Sequence, residues 1–178
     1  GKKQNEHVFY TNIRYCNLGK MNFVNNDSVS VFKGEIRVNV TGNSLNDLQG
    51  DIFINRTSYQ NKNDTYYFDD FKVSSRFDAD RIRTITVNSP DILEGQVVGK
   101  FEFGELRKMV ENSLGSLYAN YSPNKIKPKQ FLKFNFSIYN KIIEIFYPGI
   151  EIASNTNVRG NINSDDGEFK FNFTSPQI

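Results

Sequence analysis

LQGDIFI, residues 48–54, is the stretch on which the fold turns. In an extended strand successive side chains point to opposite faces. Leu48, Gly50, Ile52 and Ile54 therefore share one side, and Gln49, Asp51 and Phe53 share the other. A glycine interrupts the apolar row, where it weakens a strand and marks a bend or a close backbone approach. The same arrangement recurs along the chain. FKGEIRVNV (32–40) sets Gly34 among Phe32, Ile36, Val38 and Val40. LEGQVVGKFEF (93–103) sets Gly95 and Gly99 among Leu93, Val97, Phe101 and Phe103, and VRGNI (158–162) sets Gly160 between Val158 and Ile162. Each glycine stands on the apolar face.

Outward from these stretches, alternation with a period of two dominates. Residues 70–79 place Phe71, Val73 and Phe77 on one face, and 82–88 place Ile85 and Val87 there. Residues 131–139 add Leu132, Phe134, Phe136 and Ile138. Strands over 150–153 and 157–163 continue the series, and 168–174 close it with Phe169, Phe171 and Phe173. The polar stretch 58–67 reads as a turn, Asn88-Ser89-Pro90 as a stop, and Asp165-Asp166-Gly167 as a hairpin turn. One segment changes period. Over 104–119, Leu106, Met109, Val110, Leu114 and Leu117 recur at helical spacing, with Glu105, Arg107, Lys108 and Glu111 opposite. An amphipathic helix there is expected to turn those five apolar residues toward the sheet. A shorter helix is expected just before Pro148-Gly149. The chain reads as one mainly β fragment, 1–178. Residues 1–28 carry no assignment, strands fill 29–103, the helix region is 104–122, and strands return over 131–178.

Composition excludes several classes. Lys and Arg number 22 against 20 Asp and Glu, a net charge of +2 with no clustered basic run, so no nucleic acid partner is expected. The single Cys and single His leave no thiolate cluster and no His-based metal spacing. No phosphate-binding glycine loop or nucleophile elbow occurs, so the expectation is a non-enzyme without metal or cofactor. No run reaches the ~20 apolar residues of a membrane span. The polar, abrupt start reads as the edge of a fragment. What remains is the apolar face. It is either the filled core of a structural or adhesive β-module, the lining of a closed barrel carrying one lipid, or the open trough of a curled sheet. Inward glycines at Gly34, Gly50, Gly95, Gly99 and Gly160 would let a curled sheet bend without its walls collapsing.

The region 92–178 resembles the translocation-and-assembly-module (TamB) family of the AsmA-like group, in its Bacteroidetes-type form. The resemblance lies in GKFEF running into the amphipathic helix, in FNFSIYN, in PGIEIASNT leading to VRGNI, and in the closing FNFTSPQI. Residues 29–90 fit more loosely. It implies a "β-taco", an elongated antiparallel sheet curled around a hydrophobic inner groove. It also implies a periplasmic segment of a protein anchored in the inner membrane. Such a protein carries phospholipid toward the outer membrane and supports outer-membrane protein assembly with an Omp85-type barrel partner. On that reading the lipid groove is lined by Ile36, Val38, Val40, Ile52, Ile54, Phe71, Val73, Phe77, Val97, Phe101, Phe103, Leu132, Phe134, Phe136, Ile138, Val158, Ile162, Phe169, Phe171 and Phe173. No binding motif is required, because acyl tails need only an apolar surface.

Overall fold

The computed structural model describes residues 4–21, 29–116, 118–146, 153, 156–165 and 169–175. Among these residues ten strands and two helices follow one another. The first seven strands are β1 (Glu6–Asn17), β2 (Val31–Thr41), β3 (Gln49–Gln60), β4 (Thr65–Phe68), β5 (Phe71–Phe77), β6 (Arg83–Ser89) and β7 (Leu93–Lys100). The rest are α1 (Phe103–Gly115), β8 (Phe131–Ile138), α2 (Asn140–Phe146), β9 (Thr156–Asn163) and β10 (Phe169–Thr174). All strands belong to one antiparallel sheet in the order β1-β2-β3-β5-β6-β7-β8-β9-β10, with β4 paired to the end of β3. Neighbours in sequence are neighbours in space, as short connections favour. β1 and β10 stand at opposite ends of the order, and no pairing among the described residues closes the sheet, which argues against a closed barrel.

Two bulges bend the sheet near Gly34. Arg14 and Tyr15 together oppose Lys33, and Arg56 and Thr57 together oppose Gly34. Arg56 lies in the second bulge and takes a positive φ of 50°, a left-handed conformation uncommon for a residue with a side chain.

The strands expected over 31–41, 70–79, 82–88, 157–163 and 168–174 are present within a residue or two. Three differences stand out. β1 forms in a segment given no assignment; its outward Val8 and Tyr10 and inward His7 and Thr11 mix polar and apolar on both faces, so no clean alternation marks it. The expected turn over 58–67 narrows to 61–64, flanked by the end of β3 and the first three residues of β4, with Tyr59 paired to Tyr66 and Ser58 to Tyr67. The helix is shorter than expected, Phe103–Gly115 rather than 104–119. The strand expected over 150–153 lies mostly outside the described residues, as does the centre of the Asp165-Asp166-Gly167 turn. No helix among the described residues is long and apolar enough to cross a membrane.

Candidate functional site

Antiparallel partners share a face, so the register shows which side chains stand together. Val38 opposes Phe9 on one side and Ile52 on the other; Ile52 opposes Val73, and Val73 opposes Val87. Ile36, Ile54 and Phe71 form the next row, and Val40 opposes Gly50. Across β6–β10, Ile85, Val97, Phe134, Gly160 and Phe171 are successive partners. Beside them run Gly99, Leu132, Ile162 and Phe169, and then Gly95, Phe136, Val158 and Phe173. Ile138 pairs with Leu93 on the same face. The strand residues predicted from sequence thus lie on one side of one sheet. Phe101 follows the end of β7, and Phe103 is the first residue of α1.

Most of this face is only half-buried. Among the described residues the buried hydrophobic side chains are Val31, Tyr59, Met109, Leu132, Ile145 and Ile162. Ile36, Val38, Val40, Ile52, Ile54, Phe71, Val73, Val87, Phe136, Ile138 and Val158 all keep intermediate exposure. Cover comes at the two ends. At one end α1 sets Met109, 1% exposed, against Leu132 and Ile162, with Val97, Phe101, Leu106, Ile126, Phe134 and Phe169 packed around them. Leu106 and Met109 therefore turn inward as expected. Val110 and Leu114 do not: they are 42% and 48% exposed, because α1 contacts the sheet along a narrower stripe than five inward residues would need. Leu117 lies outside the described residues. The helix start is held from across the sheet, since the side-chain oxygen of Asn46 accepts the Phe103 N–H at 2.9 Å. With no cap from Glu102's own side chain, this bond satisfies one of the orphan N–H groups of the first turn.

At the other end α2 reaches over the β6–β7 turn. Lys141 Nζ lies 3.0 Å from Asp91 Oδ1 and donates to the Tyr67 carbonyl at 3.1 Å. Burial works to raise the Asp91 pKa, but the Asp69 N–H and Lys141 outweigh it and hold the carboxyl below its ordinary value. Beneath α2, Ile145, Phe32, Ile54, Phe68, Phe71 and Ile92 line an apolar hollow of about 300 Å³.

The glycines have two distinct causes. Gly50 and Gly95 adopt φ of 139° and 149°, where an L side chain is strained. A Cβ on Gly95 would also sit 2.7 Å from the Phe136 Cα. At Gly160 the missing side chain leaves space that an aromatic ring fills, and a Cβ there would meet Phe134 Cζ at 2.6 Å. At Gly95 and Gly160 a ring of the neighbouring strand thus lies across the glycine, whereas at Gly50 and Gly99 the neighbouring backbone itself stands close.

One residue on this face escaped the sequence reading. Arg83, 3% exposed, opposes Phe77 and Gly99. Its guanidinium stacks against the rings of Phe77, Phe103 and Phe101, at 4.6, 5.0 and 5.9 Å, and donates to the Leu45 carbonyl at 3.0 Å. Burial, and then neighbouring Arg81, lower its pKa. Arg83 ties the 42–48 loop to the sheet through its hydrogen bond to Leu45, while cation–π contacts hold the guanidinium against the rings. The only sequence signal was a charge at an apolar-register position.

No protein-family model, no curated protein and no solved structure matches this chain.

Proposed function

We propose that this chain is a segment of a TamB- or AsmA-like envelope bridge, which carries phospholipid or another acyl-chain lipid along its apolar face. One observation carries the reading: the apolar rows of β2, β3 and β5 to β10 share a single face, and between α1 and α2 nothing among the described residues covers it. A filled β-module would bury that face under a second layer. Each methylene that leaves water gains about 0.8 kcal/mol on full burial, so an acyl tail lying along the partly buried Ile36, Val38, Ile52, Val73 and Val87 is stabilised without a specific contact. Equivalent shallow positions let the tail slide, and the headgroup stays in water, so no buried countercharge is needed. Phe32, Ile54 and Phe71 beneath α2 offer a deeper end-point for a tail. On this reading the segment works in the periplasm as part of a longer protein anchored in the inner membrane, with an Omp85-type barrel as its partner at the outer membrane.

Photo-crosslinking amino acids at Ile52 and Val73 test the proposal against Arg37 and Lys72 on the opposite face. Lipid adducts, read by mass spectrometry of the purified protein, are expected at the first pair and not at the second. Equal labelling of both faces would reduce the result to surface stickiness and sink the proposal.

A further inference from the structure

β1 stands at one open end of the sheet, and among the described residues no strand pairs with its outer edge. It is long for an edge strand, with 12 residues against 6 in β10. Edge strands are commonly blunted by lysine, proline or shortness, because their unpaired N–H and C=O groups recruit other strands. β1, EHVFYTNIRYCN, contains neither lysine nor proline. Its middle is apolar on both faces. Outward Val8 and Tyr10 are 71% and 57% exposed, and inward Phe9 is 54% exposed.

The hydrogen-bond pattern shows which backbone groups are free. The Gly42 N–H donates to the Asn5 carbonyl at 2.9 Å. Along an antiparallel strand, bonded and unbonded residues alternate. His7, Phe9, Thr11 and Ile13 therefore turn their backbone groups toward β2, and Glu6, Val8, Tyr10 and Asn12 turn theirs to the open edge. A second β1 running antiparallel must then meet the first even residue to even residue. One such register sets Tyr10 opposite Tyr10 of the second copy, Val8 opposite Asn12, and Glu6 opposite Arg14. Glu6 and Arg14 are the carboxylate and the guanidinium of the strand, so this register places an opposite-charge pair at both ends. The bulge at Arg14 and Tyr15 ends the paired stretch.

We propose that this chain forms a symmetric dimer through its β1 edge, two copies pairing antiparallel about Tyr10. The same patch serves both copies, so the contact closes at two. Opposed residues share a face, so the dimer joins the two apolar faces into one, with Phe9 beside Thr11 of the second copy. It stands whether or not that face carries lipid.

Sedimentation velocity of the chain over a concentration series tests it, and a reversible monomer–dimer equilibrium is expected. Glu6→Arg and Arg14→Glu each set like charges opposite one another at both ends, and each should raise the dimer Kd about tenfold. The two changes together restore opposite charges and should bring Kd back. Val8→Pro removes an edge N–H that β2 does not use, so this variant should fold and stay monomeric. In a Cys16→Ser background, Tyr10→Cys should form an intermolecular disulfide on oxidation. Val8→Cys should not, because residue 8 stands across from residue 12 and far from its own copy. Circular dichroism confirms that each variant folds. The proposal falls if the chain stays monomeric throughout the series, or if Val8→Pro dimerises like the parent. It falls equally if the double charge variant is no tighter than the single ones, or if Val8→Cys crosslinks as readily as Tyr10→Cys. Assemblies that keep growing with concentration overturn it too, since they would mean that β1 pairs with β10 of the next copy.

Discussion

At Gly95 the chain has a φ of 149°, and the Phe136 ring lies over it. The alternation in LEGQVVG already placed this glycine on the apolar face, and the structure gives the reason. The β7 backbone there takes a conformation that L residues avoid, and the neighbouring strand fills the space of a side chain. Gly104 is the contrast: a Cβ there meets nothing within 4 Å, and the residue lies in the first turn of α1. Gly95→Ala should therefore lower stability by about 1–3 kcal/mol. Gly104→Ala should be neutral or raise it by up to about 1 kcal/mol, since alanine loses less entropy in a helix. Urea unfolding of the two variants checks this, and equal midpoints would show that the β7 glycine is a matter of tolerance alone. Arg83 marks the limit of legibility at this scale. Its sequence neighbours do not reveal that Phe77, Phe101 and Phe103 converge on it from three elements.

Among the elements, strands were more legible than helix faces. Period-two alternation located β2, β5, β6, β8, β9 and β10, because a one-residue slip would turn every apolar side chain into water. Helical spacing located α1 but overstated its inward stripe. Which of Leu106, Met109, Val110 and Leu114 meets the sheet depends on the rotation at which α1 docks, and Asn46 and the Met109 contact with Leu132 and Ile162 set that rotation. Met109→Ala should accordingly cost about 2–5 kcal/mol, the range for truncating a buried Met. Leu114→Ala should stay within about 0.5 kcal/mol, as surface changes do. Similar thermal shifts for the two would mean that α1 buries a wider face than this packing gives it.

Taken as a whole, the molecule is a single open layer with a helix at each end, and the buried cluster under α1 is small. A charge in the uncovered middle can therefore reach water, whereas the same charge beneath α1 cannot. Ile52→Glu is expected to cost about 1 kcal/mol and to leave the fold intact. Leu132→Glu would bury an unpaired carboxylate and should cost several kcal/mol or prevent folding. Circular dichroism melts separate the two outcomes, and global unfolding of Ile52→Glu would point to a filled core over the β3–β5 region. The same pair bears on function: Ile52→Glu should remove lipid adducts from neighbouring crosslinkers while the protein stays folded.

The sequence by itself determined that the chain is mainly β, that most of its strands carry one apolar row, and that glycines stand in several of those rows. These are local properties, set by backbone sterics and side-chain alternation over a few residues. Only the tertiary structure decided that the rows join into one face, that β4 folds back on β3, and that Val110 and Leu114 stay in water. Those outcomes depend on register between strands and on the docking angle of helices, which are fixed by contacts between residues distant in the chain.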